Sequence, residues 1–339
     1  MNEQINALLC DDRPLWDTWL SMFQFPTLAV ADEIGLFALL AEAPLSMEQV
    51  RERLSIGPRS AEAMLGMLTS LGYLSHLQGR FYINEIARTF LLPQSPYYWG
   101  GILRLMRSNP FTYESMLEAV KKDKATIYDD QDIWAAHEID DQQARVFTAH
   151  MHSQTVAPAI GAAERGPFQG VQRLLDVGGG SGAFCYPLVR RYPRMQCTVL
   201  ELPVVCKIAE EYIAREGLQQ RIDTVSVDFF REPFPSGYDA ILFSNIFHDW
   251  GREKCLHLAR RSFEVLPSGG QILLHEIPLD DTKTGPLHAA SFSVCLFWVT
   301  EGKQYSVAEM EGMLSSCGFC DITVTPTYGY YVLVSARKP

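Results

Sequence analysis

The sequence contains no long apolar run. No apolar stretch approaches the roughly 20 residues that a helix needs to cross a bilayer, and residues 1–13 lack the charged and then apolar pattern of a secretory signal. The 339 residues have an ordinary globular balance, with 47% hydrophobic and 20% charged residues. We therefore expect a cytoplasmic protein, without a membrane segment and long enough for two domains.

Positive charge is also scarce. Lys and Arg total 29 against 40 Asp and Glu, which gives a formal net charge of −11. Such a chain repels phosphate backbones, so nucleic acid is not an expected partner.

The cysteines do not form a disulfide framework. Cys317 and Cys320 have the spacing of a redox pair or half a zinc site, but no second pair accompanies them. Most of the others lie inside apolar patterns, where a thiol behaves as a small hydrophobe. We expect reduced thiols and no metal. The eight positions are Cys10, Cys185, Cys197, Cys206, Cys255, Cys295, Cys317 and Cys320.

Short helices and a hairpin are predicted for the first hundred residues. Ser46 and Gln49 have the spacing of a capping box, and a further helix begins after residues 58–60. Two short strand patterns, separated near Gly79, follow that helix. Helices followed by a β-wing are typical of a winged helix, but the presumed recognition helix carries only Arg59 as a cation. We predict that residues 1–100 form a winged-helix domain used for subunit association.

After residue 100, the predicted secondary structure changes at residue 166. Residues 101–165 have helical patterns and are expected to bridge two domains, with residues 166–339 forming the second domain. From there strands and helices alternate, which indicates a mostly parallel α/β sheet with helices on both faces. Strands are predicted at 173–177, 196–201, 222–227, 240–244 and 271–276, followed by a helix at 307–317 and two final strands.

A glycine-rich loop follows the first predicted strand. Gly178–Gly182 reads Gly-Gly-Gly-Ser-Gly, and a strand that turns at once into a helix against a ligand needs positions without a Cβ. The loop predicts a nucleotide-cofactor seat. Because Gly178, Gly180 and Ala183 also fit the dinucleotide spacing, both NAD and S-adenosylmethionine remain open on this motif alone.

Polar residues follow three later strands. Glu201 lies about 20 residues beyond the glycines, where an acceptor for ribose hydroxyls is expected, but both cofactors contain that ribose. Asp228 can accept from an adenine amino group while Phe229 packs on the ring; alternatively, Asp228 is a turn residue and Phe229 a core residue. His248 follows the fourth strand at the same carboxyl edge, which favours a catalytic role.

Together these motifs resemble the S-adenosylmethionine-dependent O-methyltransferases of the plant caffeic-acid and acetylserotonin type, over nearly the whole chain. The resemblance implies a Rossmann-like seven-stranded methyltransferase sheet preceded by a mainly helical winged-helix domain that forms a homodimer. It also implies S-adenosylmethionine as cofactor. The motifs are the loop at 176–182, Glu-Leu-Pro at 201–203, Asp-Phe-Phe at 228–230, His-Asp-Trp at 248–250 and Gly-Lys-Gln-Tyr-Ser at 302–306.

By motif position, the resemblance assigns His248 as the general base and Glu276 as the first of two glutamates that flank it. Gln304 stands at the second glutamate position, and a neutral amide stabilises an imidazolium less than a carboxylate does. Ser244 stands where plant members often have a lysine, and we include it in the cofactor site. The predicted cofactor residues are Gly178, Gly180, Glu201, Asp228, Phe229 and Ser244.

The expected reaction is O-methylation of a phenolic or other aromatic hydroxyl on a small secondary metabolite. A lining of aromatic and sulfur-containing side chains suits such an acceptor, although residues of this kind at helical spacing are often plain core. The alternatives are C-methylation of an activated ring, an NAD-dependent oxidoreductase, a winged-helix regulator, and metal-assisted transfer by His248, Asp249 and His288. The predicted acceptor residues are Phe147, Met151, Phe292, Cys295 and Trp298.

Overall fold

The computed structural model describes residues 10–105, 111–127 and 141–339. The chain divides into two compact units, Met1–Ser108 and Asn109–Pro339. Residues 106–110 and 128–140 of the predicted bridging stretch lie outside the described residues. The predicted division into three parts at residues 100 and 165 stays a prediction.

The first unit consists of short helices and one antiparallel hairpin. Ser46 caps α4 as predicted: its Oγ accepts from the Gln49 N–H, and Gln49 Oε1 accepts from the Ser46 N–H. One apolar core, which includes Phe37, Leu65 and Leu68, joins the helices to the hairpin. The elements are α1 (Arg13–Ser21), α2 (Gln24–Glu33), α3 (Leu36–Glu42), α4 (Met47–Leu54), α5 (Pro58–Ser70), β1 (Leu74–Leu77), β2 (Arg80–Ile83), α6 (Glu85–Phe90) and α7 (Gly100–Leu105).

The second unit begins with helices and continues as alternating strands and helices. A 3₁₀ turn, Phe247–Asp249, follows β6. The elements are α8 (Tyr113–Lys122), α9 (Asp141–Arg165), β3 (Arg173–Val177), α10 (Cys185–Arg191), β4 (Gln196–Glu201), α11 (Pro203–Arg215), β5 (Ile222–Ser226), β6 (Ala240–Ser244), α12 (Arg252–Val265), β7 (Gln271–Glu276), α13 (Leu287–Val299), α14 (Val307–Ser316), β8 (Cys320–Pro326) and β9 (Val332–Arg337).

The strands form one seven-stranded sheet in the order β5-β4-β3-β6-β7-β9-β8. The first five in this order are parallel, and β9 runs antiparallel to both of its neighbours, β7 and β8. From β3 the chain continues to β4 and β5 on one side and later returns to β6 and β7 on the other. Ligands of open α/β sheets bind at such a reversal, outside the carboxyl ends of the strands. The predicted mostly parallel sheet is confirmed.

Apolar side chains cover both faces of this sheet. Successive residues of a strand point to opposite faces, and Leu174 and Leu175 accordingly belong to different apolar clusters. Leu273 and Leu274 of β7 divide in the same way. Because both faces are buried, the central strands are continuously apolar, and their polar residues concentrate where the strands end.

Helix α13 was not predicted from the sequence. Its thirteen residues, LHAASFSVCLFWV, are almost all apolar or small, so they show no helical alternation between polar and apolar positions. The helix nevertheless places Phe292 and Cys295, three residues apart, on neighbouring positions of one side.

No single helix within the described residues is both long and apolar enough to span a membrane; Arg13–Glu33 together with Leu36–Glu42 satisfies the length and composition test as a pair bent by 60°.

Candidate active site

The glycine loop turns sharply after β3. Gly178, Gly180 and Gly182 have φ angles of +68°, +55° and +76°, in the left-handed region that favours glycine. A Cβ at Gly178 would overlap the Ile246 side chain, whereas one at Gly180 would meet no atom within 4 Å. Gly178 therefore lets the loop pack against the segment after β6, and Gly180 presents its backbone to open space.

Glu201, at the end of β4, is tied to this loop. Its Oε1 accepts from the Gly180 N–H at 3.1 Å and its Oε2 from the Leu202 N–H at 3.0 Å. Burial raises the pKa of Glu201 to about 7, although these two bonds oppose the shift. Each carboxylate oxygen retains a further lone pair for a ligand hydroxyl.

Asp228 and Phe229 follow β5. Asp228 Oδ1 accepts from the Phe230 N–H at 2.9 Å and the Arg231 N–H at 3.3 Å, and its Oδ2 lies 3.3 Å from Arg231 Nε. The ring of Phe229 packs edge-on to Trp250, with 6.4 Å between centroids. Asp228 thus stabilises its own turn, as the alternative prediction stated. Its carboxylate oxygens still have lone pairs that can accept further hydrogen bonds.

Ser244 ends β6 and faces a buried histidine. Its Oγ lies 3.2 Å from His275 Nδ1, and His275 Nε2 lies 3.0 Å from Thr327 Oγ1. The His275 ring stacks on Tyr331 with 4.6 Å between centroids. Burial lowers the pKa of His275 to about 3, so it is neutral and structural.

His248 lies in the 3₁₀ turn after β6 and is 3% exposed. Its Nδ1 lies 2.9 Å from Glu276 Oε2, although this contact is too bent to count as a well-formed hydrogen bond. The other Glu276 oxygen accepts from the N–H groups of Ile246 and Phe247, at 3.2 and 3.0 Å. Glu276 therefore holds both the imidazole and the backbone of the turn that carries it.

A second carboxylate faces the other side of the imidazole. Asp249 Oδ1 lies 3.7 Å from His248 Nε2. Burial by itself lowers the pKa of His248, but the charges of Glu276 and Asp249 outweigh it and raise the pKa to about 9. Burial raises the pKa of Asp249 to about 7, against the attraction of His248. The sequence analysis did not assign this role to Asp249. The available signal was that Asp249 directly follows His248 in the chain.

The chain matches a family model and several known relatives. Residues 113–320 match the family model of the O-methyltransferase domain. The chain is 35% identical over 312 residues to 3-hydroxy-5-methyl-1-naphthoate 3-O-methyltransferase of Streptomyces sahachiroi, covering 91% of this chain and 89% of the relative. It is 30% identical over 326 residues to acetylserotonin O-methyltransferase of Bos taurus, covering 92% and 93%.

A solved structure extends the likeness to three dimensions. The human N-acetylserotonin methyltransferase in complex with S-adenosylmethionine matches this chain with a TM-score of 0.84 and 26% identity, over 98% of this chain and 99% of that chain. The chain belongs to the O-methyltransferase family. It is an S-adenosylmethionine-dependent O-methyltransferase, which confirms the resemblance stated from its motifs, and the NAD-dependent and C-methylating alternatives are not favoured.

The residues of this methyltransferase fit S-adenosylmethionine. The loop backbone at Gly180 borders open space, and Glu201 is held rigidly beside it by two backbone N–H groups. The Asp176 side chain lies beneath the loop, where a Cβ at Gly179 would come within 2.6 Å of its Oδ2. Burial raises the pKa of Asp176 to about 7. Asp176 was not among the predicted site residues.

The predicted acceptor residues of the methyltransferase fall on two helices. On α13, the ring of Phe292 packs edge-on to His248 at 5.3 Å, and burial, with a smaller contribution from the charge of Asp249, raises the pKa of Cys295. Trp298 is one helical turn further along, and its Nε1 donates to Ser115 Oγ at 3.0 Å. Phe147 and Met151 lie one turn apart on α9. The structure brings Phe292 to the histidine ring.

Two buried amides near the turn that carries His248 keep unpaired atoms. Neither Nε2 nor Oε1 of Gln304 has a hydrogen-bond partner among the described residues, and Asn245 Oδ1 is unpaired in the same sense. Gln304 is fully buried, and its backbone N–H donates to Ser293 Oγ at 3.3 Å, next to Phe292 on α13. No sequence pattern predicted these unpaired atoms. Among the described residues, no group of three or more His, Cys, Asp or Glu side chains is arranged to hold a metal ion.

Proposed function

We propose that this O-methyltransferase methylates an aromatic hydroxyl on a small secondary metabolite, with His248 as general base. The observation that carries the proposal is the contact of His248 Nδ1 with Glu276 Oε2 at 2.9 Å, at the carboxyl edge of the sheet. A buried imidazole held from one side has its other nitrogen available for proton transfer.

The glycine loop would hold the cofactor. Glu201 would accept from the ribose hydroxyls, and Asp228, Phe229 and Ser244 would line the remainder of the site with Gly178 and Gly180. Bound S-adenosylmethionine supplies a methyl group that is already activated by the sulfonium charge. The open space at Gly180 and the anchored carboxylate of Glu201 support this assignment.

The chain's own residues handle the proton. A phenol with a pKa near 10 is mostly neutral at pH 7, and a positioned base contributes roughly 10² to 10⁴ in rate. The negative charge of Glu276 beside Nδ1 keeps the proton of neutral His248 on that nitrogen, so that Nε2 receives the proton of the acceptor hydroxyl. Asp249, 3.7 Å from Nε2, offsets the imidazolium charge that results.

The acceptor class follows from the helix beside the base. Phe292 presents its ring to His248, and half-buried Cys295 and Trp298 follow on α13, which suits a flat apolar ring system. Phe147 and Met151 of α9 are the remaining predicted contacts. The relatives with 35% and 30% identity are named as a hydroxynaphthoate and an acetylserotonin O-methyltransferase, and both names denote hydroxylated aromatic compounds.

The first unit serves association as a winged-helix domain of a cytoplasmic homodimer. α1 buries none of its residues, and the surface of α1 and of the two residues between α1 and α2 is unusually apolar for a monomer. This composition and the net charge of −11 favour a protein partner over nucleic acid. The exposed large apolar residues are Leu15, Trp16, Trp19, Leu20, Met22 and Phe23.

The proposal is tested by incubating the enzyme with methyl-labelled S-adenosylmethionine and panels of phenols, carboxylates and ring-activated aromatics, and locating the methyl group by NMR. We expect methylation on oxygen. His248→Gln should abolish at least 99% of the rate and leave the Kd of S-adenosylmethionine within twofold. A methyl group on ring carbon, or a variant with near-normal rate, contradicts the proposal.

A further inference from the structure

A histidine of α9 is bonded to the glycine loop. His152 Nδ1 lies 2.8 Å from Ser181 Oγ, and Ser181 is the one non-glycine residue of Gly178–Gly182. Ser181 is 2% exposed. The bond joins residues 29 positions apart in the chain. It contacts the loop at the serine that lies between Gly180 and Gly182.

Two tyrosines complete the contact. Tyr212 of α11 lies against the His152 ring with 4.5 Å between centroids, and Tyr186 of α10 lies 6.3 Å away. Tyr186 Oη donates to the Ser181 carbonyl at 2.5 Å. Ser181 is thus held at its side chain by α9 and at its backbone by α10.

His152 is neutral in this environment. Burial lowers the pKa of His152 to about 4; the charge of Glu216 opposes this shift and that of Arg215 adds to it. Its ring therefore stays uncharged at neutral pH, and the bond to Ser181 is one between two neutral groups.

The loop has a physical need for such a restraint. Three of its glycines have positive φ angles, and glycine loses more backbone freedom on ordering than any other residue. A loop that is ordered before the ligand arrives binds more tightly, because the ordering cost has already been met.

From these contacts we propose that His152 is a positioning residue that holds the cofactor loop, through Ser181, in the conformation that binds S-adenosylmethionine. Met151, which precedes it on α9, is a predicted acceptor contact, so one turn of this helix serves both substrates. The inference rests on the proposed function, in which Gly178–Gly182 is the cofactor seat.

The test compares His152→Phe, His152→Asn, Ser181→Ala and the double variant His152→Phe/Ser181→Ala. Phenylalanine keeps a ring against Tyr212 and loses the hydrogen bond, whereas the Asn side-chain amide can replace His Nδ1. The Kd of S-adenosylmethionine is measured by calorimetry, the Tm by calorimetric melting, and kcat and KM with an acceptor that the parent enzyme methylates. Ser262→Ala is the matched control, because Ser262 is buried on α12 and its Oγ donates to Leu258 O of the same helix.

We expect His152→Phe and Ser181→Ala each to raise the Kd and the KM of S-adenosylmethionine about three- to tenfold, with kcat at saturating cofactor within twofold. The double variant should bind S-adenosylmethionine no more weakly than the weaker-binding of the two single variants, because either substitution alone already removes the same hydrogen bond. His152→Asn should restore affinity to within twofold of the parent, and Ser262→Ala should leave the Kd unchanged.

Each result has a defined meaning. If the parent binds S-adenosylmethionine and the single variants bind it equally well, the inference on His152 fails and the proposed function stands. Additive losses in the double variant, or a Tm loss with an unchanged Kd, also overturn the inference. If the parent enzyme does not measurably bind S-adenosylmethionine, the proposed cofactor site is wrong, and the inference on His152 is wrong with it.

Discussion

Glu276 makes separate contacts with its two carboxylate oxygens: Oε2 lies 2.9 Å from His248 Nδ1, and Oε1 accepts from the backbone N–H groups of Ile246 and Phe247. One residue at the end of β7 therefore sets the position of the imidazole and the shape of the turn that carries it. Substitutions at Glu276 can separate these two effects, because an amide keeps the acceptor and loses the charge.

The first prediction concerns Glu276→Gln. The Gln Oε1 can still accept from the turn, but its Nε2 donates toward His248 Nδ1, which moves the imidazole proton to Nε2 and removes the base. We expect kcat to fall at least 100-fold while the Kd of S-adenosylmethionine changes less than twofold.

Glu301→Gln is the control for this substitution. Glu301 is an exposed acid that accepts from the Gly251 N–H and pairs with Lys254, so its amide variant should keep full activity. A Glu276→Gln enzyme within fivefold of the parent kcat would show that the carboxylate does not govern the base.

The second prediction is the pH dependence of the rate. With its pKa raised to about 9, His248 is mostly protonated at pH 7, and the base form grows as pH rises. We expect kcat/KM for the acceptor to increase about tenfold per pH unit below pH 9 and to level off above it.

Asp249→Asn provides a shifted profile for comparison. Removing this carboxylate takes away one charge that raises the pKa of His248, so the midpoint of the profile should move to lower pH. A parent profile that is flat between pH 6 and pH 9, measured with a buffer of constant ionic strength, would rule out His248 as the base.

The third prediction concerns cofactor affinity and Glu201. Burial raises the pKa of Glu201 to about 7, and its ionised form is the better acceptor for ribose hydroxyls. Association with S-adenosylmethionine should weaken about fivefold between pH 7 and pH 6 and approach tenfold per unit below that. Glu201→Gln should bind weakly with little pH dependence.

The matched control is Glu216→Gln, which removes a surface acid paired with Arg190. Its affinity should follow the parent at every pH when both are measured by calorimetry. Equal pH dependence in the parent and Glu201→Gln would assign the titration to another group.

The fourth prediction concerns the buried amide of Gln304. Both side-chain polar atoms lack a partner among the described residues, and a buried unpaired polar group costs about 1–3 kcal/mol. Gln304→Met keeps the length of the side chain and removes the polar atoms. We expect it to raise the free energy of unfolding by about 1 kcal/mol, visible as a Tm increase of about 2–4 °C.

Gln49→Met should have the opposite effect, because the Gln49 amide takes part in the capping box of α4. If Gln304→Met lowers the Tm instead, the Gln304 amide has a stabilising partner in solution. If Gln304→Met raises the Tm as expected and also raises the KM for the acceptor, the Gln304 amide contacts the acceptor.

Local patterns predicted much of the fold. The strands at 173–177, 196–201, 240–244 and 271–276 have the bounds observed for β3, β4, β6 and β7, because apolar runs between turn residues are a short-range signal. Helix α13 lacked such a signal, since it is apolar on every side. The sequence thus predicts three acceptor residues on this segment without predicting the helix that carries them.

The relationships in the candidate site were also predicted only in part. Glu276 was assigned to His248 by motif position, and their 2.9 Å contact agrees with that expectation. The contact of His152 with Ser181 and the unpaired side-chain atoms of Gln304 had no signal of comparable strength, because they depend on how distant segments pack. Asp249 directly follows His248 in the chain, but a sequence pattern does not show which ring nitrogen its carboxylate faces.

The amino-acid sequence by itself determined the sheet and the glycine turn, because strand and helix periods and backbone conformations are properties of short segments, and its motifs indicated the kind of chemistry by their resemblance to a family. The tertiary structure alone decided that Asp249 faces Nε2 of the imidazole and that α9 contacts the glycine loop. Those relationships arise when β6, β7, α9 and α13 pack into one unit, and the low-dielectric interior that results gives the buried carboxylates and histidines their altered pKa values.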